Sequence, residues 1–187
     1  MHGLFKTAMQ VQTLLDKQKW KYCFIGGIAV QKWGQVRITK DVDLTLLTGF
    51  GQEEQFIDLL LRHFDGRIPE ARQFALLHRV LLLVDKQGMR IDVSCGGFPF
   101  EQSAVERAKV VQVIPGVRLR LCTAEDLIVF KAFANRGIDW FDIEGVIARR
   151  SKKKLDWKYV FAQLTPLIAL KEEPEILPKL KALIDEC

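Results

Sequence analysis

The stretch that decides the fold reads Phe24-Ile25-Gly26-Gly27-Ile28-Ala29-Val30 and then Arg37-Ile38-Thr39-Lys40-Asp41-Val42-Asp43-Leu44. Val42, Leu44, Leu46 and Leu47 are strand formers, so Asp41 and Asp43 stand at alternate positions of a strand. Residues i and i+2 of a strand point to one face. Two carboxylates aimed at one spot repel unless something positive lies between them, and a divalent metal supplies that charge. The glycine pair follows a short apolar run, where bare backbone can approach a phosphate.

Working outward, Trp20 to Ile25 reads as a strand entering the Gly26-Gly27 turn, and Ile28 to Trp33 as a helix start. Asp41 to Leu47 is the next strand, closed by Thr48-Gly49. Glu53 to His63 is helical, with Phe56, Leu59, Leu60 and Phe64 at helical spacing. Arg79 to Val84 and Met89 to Ser94 flank the polar turn Asp85-Lys86-Gln87-Gly88, which predicts an antiparallel hairpin. Val110 to Ile114 and Val117 to Leu121, around Pro115-Gly116, predict a second extended pair. Met1 to Lys17 reads as an amphipathic helix with Phe5, Met9, Val11, Leu14 and Leu15 inward.

The character changes at Cys122. Thr123 is a candidate N-cap with Asp126 three residues on, and helices are expected over 124–134, 140–149, 157–163 and 176–184. The layout is an α/β part, 1–121, followed by a helical part, 122–187, and the two can share one core.

A chain of 187 residues with 49% hydrophobic and 27% charged residues suits one compact globular domain, or one core with a small lobe. No apolar run reaches the roughly 18 residues that span a bilayer, and 1–17 lacks a signal-peptide block. Cys23, Cys95, Cys122 and Cys187 show no C-x-x-C spacing, which argues against zinc. Three sit among apolar residues, as buried free thiols do, which implies a reducing, cytoplasmic setting. The formal net charge is +5, and its densest run is Arg149-Arg150-Ser151-Lys152-Lys153-Lys154. That run is either a solvated helix end and linker or a phosphate-contacting patch.

A third carboxylate comes from the hairpin. In Arg90-Ile91-Asp92-Val93, Asp92 faces away from the core if Ile91 and Val93 face into it. If that strand lies beside the Asp41/Asp43 strand, three carboxylates converge, a set that suits two oxygen-ligated divalent ions and phosphoryl or nucleotidyl transfer. Asp92 is also a candidate general base. Taken singly, it reads equally well as a solvent-facing strand residue. Arg37 can balance the acidic pair or grip a phosphate, or is a surface loop arginine. His2, His63 and His78 are scattered and make no ligand spacing.

The ordered set of Gly-Gly-x-Ala, Arg-x-Thr-x-Asp-x-Asp and a later hairpin aspartate resembles the nucleotidyltransferase superfamily. It looks most like the small bacterial branch of abortive-infection AbiEii-type and related minimal nucleotidyltransferases. The resemblance continues through Glu125-Asp126-Leu127, Lys131, Arg136 and Asp139 to Ile143, and so spans about residues 22–147. It implies an α+β, polymerase-beta-like mixed sheet with flanking helices and a helical C-terminal part. It implies a magnesium- or manganese-dependent enzyme that moves an NMP from an NTP, ATP among them, onto a hydroxyl-bearing acceptor: an RNA end such as tRNA, a protein or a small molecule. Under it Asp41, Asp43 and Asp92 are catalytic and metal-binding. Gly26, Gly27, Arg37, Thr39 and Lys131 are nucleotide-binding. Many relatives carry Gly-Ser where this chain has Gly26-Gly27, so the serine's phosphate contact must come from backbone N–H groups, Thr39 or Arg37. Asp139 and Asp142 match a later acidic motif, alternatively a buried ion pair for Lys131 or Arg136. Some relatives are toxins with an antitoxin partner and others modify antibiotics. Two further readings stay open: a non-catalytic nucleotide-binding module on the same fold, and an RNA-binding protein that uses the Arg149–Lys154 run.

Overall fold

The computed structural model describes residues 3–186. The first two positions of the expected N-terminal helix, including His2, and the thiol of Cys187 lie outside the described residues. The chain divides into two compact units. One runs to Ile28 and resumes from Ile38 to Cys122. The other joins Ala29–Arg37 to the residues from Thr123 onward.

The first unit is built on a mixed sheet of seven strands: β1 (Tyr22–Phe24), β2 (Asp41–Leu47), β3 (Asp65–Gly66), β4 (Val80–Val84), β5 (Arg90–Gly96), β6 (Lys109–Ile114) and β7 (Val117–Leu121). Their spatial order is β3-β4-β5-β2-β1-β7-β6. The expected hairpin is present as β4 and β5, antiparallel, and so is the β6–β7 pair. The sequence left open which strand neighbours β5. It is β2, in parallel, with Asp43 opposite Asp92.

Alternation sorts the two strands' side chains. Val42, Leu44, Leu46, Ile91 and Val93 are at most 1% exposed, while Asp41, Asp43 and Asp92 lie on the half-open face. The buried face packs with α1 (Gly3–Lys17) through Leu4, Phe5, Ala8, Val11 and Leu15, and with α3 (Glu53–Leu61) through Ile57 and Leu60. Met9 and Leu14, expected inward, are only partly covered.

Two helices in this unit were not legible as periodic runs: α4 (Ala71–His78) and α5 (Pro99–Arg107). Each is too short for a clear stripe, and α5 begins by capping. Glu101 accepts from the backbone N–H groups of Gly97 and Phe98, at 2.8 and 2.9 Å, and Pro99 occupies the first turn, where its missing N–H costs nothing. The helix after the glycine pair, α2 (Gly26–Trp33), starts two residues earlier than expected, because Gly26 takes the left-handed backbone (φ +56) and turns the chain at once.

The second unit holds the rest of α2 with α6 (Ala124–Ala134), α7 (Gly137–Arg150), α8 (Trp157–Lys171) and α9 (Ile176–Glu186). Leu127, Ile128, Val129 and Ala132 of α6 are all fully buried, the mark of a central helix, and α7, α8 and α9 pack against it. Thr123 caps α6, its hydroxyl accepting from Asp126 N–H at 3.2 Å. The expectation stopped α8 before Pro166. The helix runs through it to Lys171, since the buried Leu164, Leu167 and Ile168 hold both sides of the proline in register.

Candidate functional site

The acidic face of the first unit follows from strand register. Opposed residues on adjacent strands stand roughly 4.8 Å apart and point the same way. Asp43 and Asp92 are such a pair on β2 and β5, and Asp41 lies one alternation along the same face. The three carboxylates therefore share one surface patch, with side chains of Asp41 and Asp92 37% and 31% exposed.

The turn before α2 closes on this patch. A Cβ at Gly26 would lie 2.1 Å from Asp43 Oδ2, so the carboxylate occupies the space that any other residue would fill. Gly27 N–H donates to the same oxygen at 3.3 Å. A Cβ at Gly27 would lie 2.1 Å from Thr39 Oγ1. Thr39 thus places its hydroxyl over the N-terminus of α2, where a residue-27 side chain would have stood. First-turn N–H groups and the helix dipole make this end favourable for a phosphate.

An arginine the sequence reading missed belongs to the patch. Asp65 and Gly66 pair with Val84 and Leu83, which brings Arg67 to Leu82, itself opposite Asp92. Arg67 Nη1 reaches across to 2.7 Å from Asp92 Oδ1, an ionic contact whose N–H is not aimed at the oxygen. Only the strand order reveals this, because Arg67 lies 25 residues before its partner with no motif between. Arg90 Nη1 is 3.9 Å from Asp41 Oδ1.

Oδ1 of Asp41 and Oδ1 of Asp92 are buried oxygens with no hydrogen bond. Each faces an arginine, Arg67 for Asp92 and Arg90 for Asp41, and its unused hydrogen-bonding capacity suits a further cation. An all-oxygen donor set suits a hard ion such as magnesium or manganese. As the side chains stand, among the described residues no three His, Cys, Asp or Glu groups are disposed to hold one ion. Arg67 contacts Asp92 and the Gly27 N–H contacts Asp43, so the residues fit a metal in kind but not in their present disposition.

Arg37 and Lys131 lie in the second unit, on a buried network. Lys131 Nζ stands 2.7 Å from Asp139 Oδ1 and 2.8 Å from Asp142 Oδ2. Arg37 grips Asp142 with two N–H groups, at 2.7 and 2.9 Å, and Arg136 Nε holds Asp139 at 2.6 Å. Asp139 and Asp142 are 0% and 2% exposed. Burial pushes both carboxyls up. The cations outweigh it and hold them below the usual 3.8: Arg136 then Lys131 for Asp139, Arg37 then Lys131 for Asp142.

Elsewhere, Cys23, Cys95 and Cys122 are buried free thiols. His63 and His78 are exposed, and among the described residues neither joins a group that could hold a metal. Among the described residues no helix is long and apolar enough to cross a membrane.

The chain has the nucleotidyltransferase fold. No family model and no curated protein matches it, but solved structures do. It is similar to the lincosamide antibiotic adenylyltransferase LnuA in a lincomycin-bound crystal structure (TM-score 0.52, 14% identity, 75% of this chain and 94% of that one). It is similar to the antibiotic-resistance factor ANT(2'')-Ia in solution (TM-score 0.55, 17% identity, 91% and 94%). It also resembles an antigenic nucleotidyltransferase-like protein from Paracoccidioides brasiliensis (TM-score 0.53, 17% identity, 97% and 92%). At these identities the likeness speaks for the fold.

Proposed function

We propose that the protein is a metal-dependent nucleotidyltransferase that moves an NMP from an NTP onto a hydroxyl-bearing acceptor. The observation that carries this reading is the register of Asp43 with Asp92, with Asp41 on the same face and two buried oxygens that lack hydrogen bonds. Asp41, Asp43 and Asp92 would hold magnesium or manganese, which when bound would supply charge neutralisation for the triphosphate and a lowered pKa for the acceptor hydroxyl. Asp92, the carboxylate already held by Arg67, is the general base for that hydroxyl.

Gly26 and Gly27 leave room at the start of α2 that Asp43 and Thr39 fill, and Thr39 brings to the triphosphate the hydroxyl that residue 27 lacks. Arg37 and Lys131, which the motif order assigns to the nucleotide, lie in the second unit. Both already hold buried carboxylates, so their part is positioning through a fixed network. One fold neighbour is named a lincosamide antibiotic adenylyltransferase and another, an antibiotic-resistance factor, has been crystallised with adenylyl-2''-tobramycin, so small hydroxylated antibiotics come first among acceptors to test. The narrower AbiEii-type branch, with an antitoxin partner, rests on the motif order across residues 22–147.

The test is transfer of label from each α-labelled NTP, with magnesium or manganese, to aminoglycosides, lincosamides, RNA and cell extract. Wild-type transfer with at least a 100-fold loss in Asp43→Ala and Asp92→Ala is expected, on the scale of removing a charge-stabilising group. Nucleotide binding without pyrophosphate release would favour the non-catalytic reading, for which the Arg67–Asp92 contact is the supporting observation.

A further inference from the structure

The ten residues from Arg149 to Lys158 hold six cations against one anion, Asp156. Their charge equals the +5 of the whole chain, so the rest of the protein is formally neutral. The positive charge is thus concentrated in one segment of the second unit.

Two members of this segment have structural duties. Arg149 Nη1 donates to the carbonyls of Gly34 and Gln31, at 2.8 and 3.2 Å, and closes the end of α2. The Asp156 carboxylate accepts from Tyr159 N–H at 2.9 Å and caps α8. Lys152, Lys153 and Lys154 have no such duty. They form a 3-10 turn, anchored by the buried Leu155 and by Trp157 Nε1–H donating to the Lys152 carbonyl at 3.0 Å. Among the described residues none of their ammonium groups has a carboxylate partner. The fold therefore holds three adjacent like charges at the surface against their mutual repulsion, which an outside polyanion would relieve.

An aromatic ring lies beside Arg150, two residues before Lys152. Arg150 Cζ stands 5.3 Å from the centre of the half-buried Trp33 ring, and Lys32 Nζ 5.8 Å from it. Cations around a flat ring match the alternation of phosphate and base in an unpaired strand. A membrane surface would be met by exposed apolar groups, whereas the one aliphatic side chain of the segment, Leu155, is 6% exposed. We propose that Lys32, Trp33, Arg150 and Lys152–Lys154 form a docking surface for single-stranded nucleic acid. This does not rest on the transferase reading, because none of these residues belongs to the acidic patch.

The experiment titrates a fluorescent single-stranded 15-mer with the full chain at several salt concentrations. Five phosphate contacts give a log–log slope of about −3.5, or about 100-fold weaker binding from 50 to 200 mM salt. Lys152→Ala/Lys153→Ala/Lys154→Ala together, all surface changes that leave the circular dichroism melt in place, flatten the slope by about 2. Trp33→Ala weakens binding about tenfold and Trp33→Phe restores most of it, as stacking requires. Asp43→Asn leaves the affinity unchanged. Salt-independent binding, unaltered binding by the triple lysine variant, or capture by phosphatidylserine vesicles without oligonucleotide binding would each overturn the proposal.

Discussion

Gly26 and Gly27 show how a missing side chain shapes a site. Asp43 fills the space beside one and Thr39 the space beside the other. Gly27→Ala pushes on Thr39 and costs about 1–3 kcal/mol by overpacking, together with the hydroxyl's position. In Gly27→Ser, pairing the change with Thr39→Gly removes the Thr39 Cβ as well as its hydroxyl, clears the space and returns a hydroxyl to the start of α2. The double variant is therefore expected to melt higher and bind NTP more tightly than Gly27→Ser alone. Equal or worse behaviour of the double variant would show that the two positions do not share one space.

At the scale of elements, α6 and α7 are tied by buried charge. Lys131 is 6% exposed and serves two carboxylates at once. Lys131→Ala strips both of a cation, and removing one partner from a buried pair costs about 3–5 kcal/mol. Thermal melting of the variant measures the loss, and a shift of under a degree would refute the network's importance. The pH dependence has a definite sign. Asp139 and Asp142 are held below 3.8 in the folded chain, so their stabilisation is complete above the unfolded value and is lost as pH falls through the lowered folded values. Denaturant midpoints are expected to hold steady from pH 7 to 5 and to fall below about pH 4. Asp142→Asn flattens that fall.

For the molecule as a whole, the path of the chain matters more than the order of its motifs. Residues 29–37 belong with the C-terminal helices. There Arg149 closes the end of α2, Arg37 grips Asp142, and Gly145 lies so near Gln35 that a Cβ would stand 3.0 Å from its backbone nitrogen. A cut at residue 121, where composition changes, would strand this segment. The fragment 1–121 is expected to lose cooperative melting and to aggregate, as analytical ultracentrifugation and circular dichroism would show. A stable, monomeric fragment would overturn the division at residues 28 and 38.

Local patterns carried much of this structure. Alternating Val42, Leu44, Ile91 and Val93 announced two strands with one apolar face each, Thr123 with Asp126 announced a capped helix, and both needed only neighbours within a few positions. Short α4 and α5, with barely two turns apiece, offered no such period. Long-range choices were decided by packing. That β5 lies against β2 in parallel, that Arg67 reaches Asp92, and that Lys131 is buried between two aspartates depend on which surfaces bury each other. The amino-acid sequence by itself determined the elements and the acidic residues on their exposed faces, because side-chain direction follows backbone period. Tertiary structure alone decided which of those faces meet, because strand order is set by burial of the whole sheet and leaves no mark on the spacing of residues along the chain.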